Sequence, residues 1–395
     1  MSRRVRVAQV VTRFMAGAGG VALRGAQALD PDRYEIVFIV GSGDRLVLEA
    51  RAAGFEVVIT DRLRNEISLA ADRRALADLT AYIGAGRFDV VHTHSAKAGT
   101  LGRLAARRAK VSRIVHTFHG FPFHEFQSPL RRAAYIRIEK SMGQFTDAFL
   151  AVGPAVAAEA IRLRIAPPER VRTIGVAVNT PGPAPDLWDR AEARRLLGVP
   201  PGTMAVGTVG RLDFQKAPDD FVNALATLGR NDVFGVWIGD GPLRARTEKL
   251  AARRGLSGRL LFAGERTDVS ALLPGLDVFA MASRYEGLPC AVVEAMLAGL
   301  PVVATTVNAV PNVVVAGETG LLAPPGRPEL LARAIGYLLD NPVVAARIGA
   351  AGRARLGEEL TPAALGDVLD QTYQPPQAGG WPQVAAWTAA ALVRP

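Results

Sequence analysis

Glu286 and Glu294 flank a stretch, Ser283-Arg-Tyr-Glu-Gly-Leu-Pro-Cys-Ala-Val-Val-Glu-Ala-Met296, whose residue types could bind an anion. The preceding Asp277-Val-Phe-Ala-Met-Ala282 reads as a buried strand. The run from Cys290 reads as a helix stopping at Gly299. Pro289 is expected near the first helical position, where a missing N–H costs nothing. Such a turn aims the backbone N–H groups of Leu288, Cys290 and Ala291 beyond the strand end. A helix start of this kind favours negative charge through its dipole and its unpaired donors. Carboxylates beside a bound phosphate would be repelled by it, so Glu286 and Glu294 are expected to hold hydroxyl groups next to it. The alternative is a solvated turn glutamate and a dipole-compensating one.

A second constellation, Val206-Gly-Thr-Val-Gly-Arg-Leu-Asp-Phe-Gln-Lys-Ala-Pro-Asp-Asp220, runs from strand to loop to helix, with Arg211 and Lys216 on the loop. Two cations at a strand end can neutralise a diphosphate and steady a leaving group without a metal. Gly17, Gly19 and Ala22 nominally satisfy a dinucleotide fingerprint, but Thr12 to Ala16 separate them from the strand and no acidic residue ends the second strand. All five histidines, His92, His94, His116, His119 and His124, fall within one segment. Only Glu125 accompanies them as an acidic ligand, so no metal site is expected. Asp30-Pro-Asp32 spells a metal motif but sits between a helix and a strand, where it reads as a turn.

The stretch over 286–304 resembles the pattern EGxPxxxxEAMAxGxPVVA of retaining glycosyltransferases of family 4, which have the GT-B fold. Residues 210–217 resemble that family's GRLxxxKG motif, with Ala217 where glycine is usual. The resemblance implies that Arg211, Lys216 and the helix start of Gly287, Leu288, Pro289 and Cys290 bind the donor pyrophosphate. It further implies that Glu294 holds the ribose diol. Thr117-Phe-His119-Gly resembles an HG motif and gives His119, together with Glu286, to the donor sugar. Gly19 and Gly20 become a loop closing over donor phosphate and acceptor, while Arg266 and Thr267, after Phe262-Ala-Gly-Glu, lie near the nucleobase. Trp237-Ile-Gly-Asp-Gly-Pro242 resembles the family's GxGP turn, and an ordinary tight turn reads equally well there. His94, with Ser95 and Lys97, lines the acceptor side or is a satisfied strand-end histidine. One departure stands out: Val307-Asn-Ala-Val-Pro-Asn312 replaces the usual Gly-Gly-x-x-Glu.

These residues need a scaffold, and the chain supplies one by alternation. Apolar runs at 5–11, 35–40, 55–59, 88–93, 112–118, 147–152 and 171–178 alternate with helical patterns. The scheme then repeats with strands at 204–209, 234–239, 259–263, 277–282 and 301–305. Such alternation predicts α/β architecture with parallel sheets covered on both faces. The breakers in Asn179-Thr-Pro-Gly-Pro-Ala-Pro-Asp186 mark a linker. Two Rossmann-like domains facing a central cleft are expected: an acceptor-side domain over 1–180 and a donor domain over 181–373. A terminal helix over 381–395 is expected to cross back to the first.

The sequence of 395 residues is 49% hydrophobic and 21% charged, an ordinary composition for a chain with sizeable cores. Its single cysteine excludes an intrachain disulfide framework and fits a reducing, cytoplasmic location. The start reads as a first strand rather than a signal peptide. A net charge of +10 favours acidic partners, but no aromatic-interleaved basic stripe points to nucleic acid. The basic helical pattern over 129–140 reads as core-facing or as a peripheral contact with anionic membrane at its inner face. Oligomeric state is not legible. The expected activity is retaining transfer of a sugar from a nucleotide diphosphate donor, UDP favoured, to a glycan, lipid-linked or small-molecule hydroxyl, with neither cofactor nor metal. A same-fold epimerase or phosphorylase, or an inactive sugar-nucleotide-binding subunit, would share the motifs.

Overall fold

The structure, a computed structural model, describes residues 3–15, 17–178, 189–357 and 360–374. They form two compact units. In the first, strands β1 (Val5–Arg13), β2 (Tyr34–Ser42), β3 (Glu56–Ile59), β4 (Val90–His94), β5 (Arg113–Phe118), β6 (Ala148–Val152) and β7 (Val171–Ile174) form one parallel sheet ordered β3-β2-β1-β4-β5-β6-β7. Helices cover both faces, which is why β4, β5 and β6 are buried along their whole length; β6 is apolar throughout, whereas β4 and β5 also bury His92, His94 and His116. Val10, Ile39, Leu79, Val91 and Ala105 lie in the core between the sheet and its helices.

In the second unit β8 (Met204–Val209), β9 (Val233–Ile238), β10 (Leu260–Gly264), β11 (Val278–Met281), β12 (Val302–Thr305) and β13 (Leu321–Ala323) follow the order β10-β9-β8-β11-β12-β13. The winding direction reverses between β8 and β11, as it does between β1 and β4 in the first unit. Crevices beyond the carboxyl ends of strands at such a reversal are where open α/β sheets bind ligands. Trp237 is buried at the centre of this unit, edge-on to Phe221 with ring centroids 5.4 Å apart.

The periodicity placed twelve of these strands but missed β13 and the short helices Arg190–Leu196 and Val310–Val313. The Arg190–Leu196 helix carries little apolar periodicity. It is docked by ion pairs from Arg190 and Arg194 to Asp277, more than eighty residues away. A second difference concerns the division of the chain. The helix Pro362–Tyr373, assigned by sequence to the donor domain, belongs instead to the first unit, with the strands up to Ile174. Tyr34 donates to Asp370 Oδ1 at 2.8 Å, Arg113 donates to the Thr372 carbonyl at 3.0 Å, and a Cβ on Gly366 would lie 2.8 Å from the Ala28 carbonyl oxygen. The chain therefore returns before Pro362, and the crossing helix expected over 381–395 lies outside the described residues.

The helix Pro129–Gly143 is exposed over most of its surface and buries only Glu139, Met142 and Gly143. Its anchor is an ion pair: Arg103 Nη2 lies 2.6 Å from Glu139 Oε2, with side chains 0% and 3% exposed.

Candidate active site

The loop after β8 is shaped by the loop after β9. Gly210 N–H donates to the Ile238 carbonyl at 2.9 Å, and the Gly210 carbonyl accepts from Trp237 Nε1 at 2.8 Å. Gly239 has φ 135°, and a Cβ there would lie 2.1 Å from the Gly210 oxygen, so only glycine fits. Leu212 N–H then donates to the Asp240 carbonyl at 3.0 Å. The GxGP turn thus holds the backbone that carries Arg211. Ala217, where the family pattern has glycine, adopts the left-handed φ of 48° that explains that preference.

Within the loop, buried Asp213 organises both predicted cations. One carboxylate oxygen pairs with Arg211, and the other accepts the backbone N–H of Lys216 at 3.1 Å. Lys216 Nζ reaches across the β8–β11 reversal to Glu286 Oε1 at 2.5 Å. Glu286 also accepts from Ser283 Oγ at 2.6 Å and from Gln215 Nε2 at 3.2 Å. The two loops are further stitched by Arg284, whose N–H donates to the Gln215 carbonyl at 2.8 Å and whose guanidinium pairs with Asp219 at 2.8 Å. Tyr285 lies between them, its phenol raised above its usual pKa by burial and then by Asp213. Lys216 and Glu286 side chains are 20% and 5% exposed, whereas Arg211 is 56% exposed and open to an incoming anion.

The helix of the anion turn starts at Cys290, where the sequence placed it. Pro289 is the N-cap, with φ −77° and ψ 105°, and Cys290 is the first residue of the helix Cys290–Leu297. The Pro289 carbonyl accepts from the Val292 and Val293 N–H groups. Cys290 and Ala291 N–H belong to the first turn, where no intrahelical acceptor exists. Gly287 and Leu288 are buried in the turn, Cys290 and Glu294 are partly exposed, and Gly299 ends the helix at φ 74°. Arg266 and Thr267 lie three strands from β11 along the sheet, after β10, whose end is tied to β9 by Gly239 N–H donating to the Gly264 carbonyl at 2.8 Å. Arg266 is held in a two-pronged pair with Asp268 at 2.8 and 2.6 Å, and Thr267 is exposed.

The departure at Val307–Asn312 has a structural answer. Asn308, at φ 42°, accepts the Glu286 backbone N–H on Oδ1 at 2.8 Å, and Thr305 Oγ1 donates to the Ser283 carbonyl at 2.6 Å. Asn tolerates the left-handed region and so supplies a side-chain acceptor where the loop needs one. An Asn308→Gly variant keeps the backbone and removes that acceptor. Its donor KM should rise by roughly two- to tenfold, the worth of about one hydrogen bond, with the thermal midpoint little changed. An unaltered donor KM would show that Asn308 does not hold the Glu286 turn. Asp213, Gln215, Ser283 and Asn308 were not singled out from sequence. Only Asp213, two residues from Arg211, and Asn308, at a departure from the family pattern, carried any signal.

In the first unit Gly19 and Gly20 are not a loop. They lie in the first turn of the helix Ala18–Gln27 and are buried. A Cβ on Gly19 would lie 3.1 Å from the Phe14 carbonyl carbon, so close packing explains the glycine. The loop glycine is Gly17, the N-cap, with φ 76°. His119 follows β5 and is half-buried, its Nε2 2.9 Å from His94 Nδ1. Burial lowers its pKa to about 3, so the ring is neutral across the physiological range. Among the described residues no group of three or more His, Cys, Asp or Glu side chains is arranged to hold a metal ion.

Comparison with known proteins agrees with this geometry. The family model "Glycosyl transferases group 1" matches residues 189–355, and "Glycosyltransferase Family 4" matches residues 15–181. The chain is 30% identical to the UDP-Gal:alpha-D-GlcNAc-diphosphoundecaprenol alpha-1,3-galactosyltransferase of Escherichia coli, over 77% of this chain and 80% of that protein. It is 32% identical to the D-inositol 3-phosphate glycosyltransferase of Streptomyces bingchenggensis, over 73% of this chain and 68% of that one. The crystal structure of Anabaena HepE in complex with UDP and glucose superposes with a TM-score of 0.80 at 20% identity, covering 93% of this chain and 99% of HepE. The paired doubly wound sheets, the cation-bearing loop facing a helix start and these matches make this chain a family 4 glycosyltransferase of the GT-B fold, an enzyme that takes its sugar from a nucleotide-sugar donor.

Proposed function

We propose that the enzyme transfers a hexose from a UDP-sugar to a hydroxyl of a lipid-linked glycan, with retention at the anomeric carbon and without a bound metal. The observation that carries this reading is the cluster at the β8–β11 reversal: Arg211, Lys216 and the Cys290–Leu297 helix start lie on loops joined by the Lys216–Glu286 pair. There the cations and the N–H groups of Gly287, Leu288 and Cys290, in the turn capped by Pro289, stabilise charge developing on the diphosphate. Glu294 takes the ribose diol, Glu286 and His119 the sugar, and Arg266 and Thr267 lie by the base. Gly19 and Gly20 contribute first-turn N–H groups in place of a mobile loop. Glu286 already accepts from three side chains, so it suits hydroxyl binding better than nucleophilic attack. In the proposed step the acceptor oxygen bonds to the anomeric carbon as the bond to the phosphate oxygen breaks, and its proton passes to that phosphate oxygen on the same face.

UDP and a lipid acceptor are favoured by the activity of the Escherichia coli relative and by the ligands of HepE. The helix Pro129–Gly143 supports the lipid side. Leu130 and Ile138, 82% and 41% exposed, lie among exposed Arg131, Arg137 and Lys140, a combination that suits an anionic membrane surface. No described helix is long and apolar enough to cross a membrane, and we place the enzyme peripherally at the cytoplasmic face.

One assay tests the reading. UDP-hexoses are supplied with an undecaprenyl-diphosphate-linked sugar in anionic vesicles. The product should keep the donor's anomeric configuration, and EDTA should leave the rate within about twofold. An Arg137→Ala variant should bind the vesicles roughly fivefold more weakly, about 1 kcal/mol for one surface cation. Inversion, loss of activity in EDTA, or vesicle binding indifferent to Arg137 would each remove the corresponding part.

A further inference from the structure

His119 is the half-buried end of a hydrogen-bonded chain that runs through the first unit to its last described helix. Gln9 on β1 donates from Nε2 to Tyr373 Oη at 2.7 Å and presents Oε1 to His94 Nε2 at 2.7 Å. Tyr373 Oη lies 2.8 Å from His92 Nδ1, and His92 Nε2 lies 2.6 Å from Thr117 Oγ1. His94 Nδ1 completes the chain to His119 Nε2. The imidazoles lie against one another, with centroids 4.2 Å apart for His92 and His94 and 5.2 Å for His94 and His119. Gln9, His92, His94 and Tyr373 are all buried.

The polarity of this chain follows from donor and acceptor inventories. An amide NH₂ has only hydrogens to offer, so Tyr373 oxygen accepts from Gln9 and its O–H is left to donate to His92 Nδ1. His92 then carries its hydrogen on Nε2 and donates it to Thr117. At the other end of the amide, Gln9 Oε1 can only accept, so His94 carries its hydrogen on Nε2. A neutral His94 has its lone pair on Nδ1, and His119 must donate to it from Nε2. His119 is left with its lone pair on Nδ1. Burial keeps the rings neutral: it lowers His92 and His119 to about 3 and takes His94 well below its ordinary value.

We infer that Gln9, His94 and Tyr373 are positioning residues that lock His119 in the Nε2–H tautomer, so that it meets a substrate hydroxyl as a hydrogen-bond acceptor through Nδ1. The inference rests on the proposed contact between His119 and the donor sugar. It adds a direction to that contact: the sugar hydroxyl must donate, so a deoxy or O-methyl sugar at that position loses the bond. It also gives the returning helix Pro362–Tyr373 a part in substrate recognition, through a tyrosine 281 residues from its His92 partner.

Long-range ¹H–¹⁵N correlation spectra of the full-length enzyme, with histidine labelled, test this directly. The parental His119 should show one neutral tautomer, protonated at Nε2. Gln9→Leu removes both the acceptor for His94 and the donor to Tyr373. It should give mixed His119 tautomers and a roughly two- to tenfold lower kcat/KM, about the worth of one hydrogen bond. Gln9→Glu still presents an acceptor to His94 Nε2–H, whether or not it is ionised, and should restore the single tautomer. Tyr373→Phe should loosen the amide and reproduce the Gln9→Leu spectrum in milder form. A parental His119 protonated at Nδ1, or an unchanged spectrum in Gln9→Leu, overturns the inference whatever the activity. The expected spectra alongside a His119→Ala enzyme that transfers sugar at the parental rate would instead refute the sugar contact, and with it the positioning role.

Discussion

A Lys216→Ala enzyme is expected to lose about ten- to a hundredfold in kcat/KM, the 1.5–3 kcal/mol that a hydrogen bond to a charged group contributes. Lys216 Nζ sits 2.5 Å from Glu286 Oε1 and is partly exposed, so it can serve a carboxylate and an incoming phosphate from one position. Its removal takes one of two cations from the diphosphate and leaves Glu286 with neutral donors only, Ser283 and Gln215. The two consequences are separable. If the loss comes from the phosphate, Lys216→Ala combined with Glu286→Gln should be no better than Lys216→Ala alone. If it comes from an uncompensated carboxylate, the second change should recover activity. Lys216→Arg is expected to recover little, because a planar fork does not replace a compact ammonium beside a carboxylate that Gln215 and Ser283 already contact. Parental kcat/KM in Lys216→Ala would take this residue out of the site.

The largest stability effect is expected at Glu139→Ala. Arg103 and Glu139 side chains are 0% and 3% exposed, and Arg103 Nε also donates to the Gly99 carbonyl at 2.6 Å. Deleting the carboxylate strands a buried guanidinium, which costs about 3–5 kcal/mol. For a unit of this size that lowers the thermal midpoint of its transition by roughly 6–20 °C. The double variant Arg103→Met with Glu139→Leu removes both charges and should regain most of the loss, since apolar pairs of similar volume replace buried ion pairs well. Calorimetry on the three variants checks this. A single-variant loss below about 1 kcal/mol would show that the helix Pro129–Gly143 is held by other contacts. Because that helix buries so little else, the ion pair is also what presents Leu130, Arg137 and Ile138 to the surroundings.

Local chemistry made much of the donor side readable in advance. Arg211, Lys216, Glu286 and the turn to Cys290 lie in two short stretches whose strand, loop and helix are each declared by apolar runs, proline and glycine. The structure brings those stretches together because β8 and β11 are neighbours in the sheet. Most strands were legible because burial on both faces demands largely apolar runs, and Gly299 marked a helix stop because a left-handed residue closes that turn.

Where residues far apart in the chain had to meet, the sequence was silent or misleading. The family resemblance made Gly19 and Gly20 a loop, yet they form the first turn of a helix, where a Cβ on Gly19 would crowd Phe14 and Leu46. Asn308 looked like the loss of a motif, and only the register of β11 beside β12 reveals it as the acceptor that holds Glu286. The helix Pro362–Tyr373 followed the donor domain in sequence but packs in the other unit, where Tyr373 meets Gln9 and His92. Periodicity and capping are properties of neighbouring residues, so residue order alone determined the elements and the local anion turn. Which polar groups satisfy one another across the sheet depends on strand order and on the returning helix, and only the folded chain decides that.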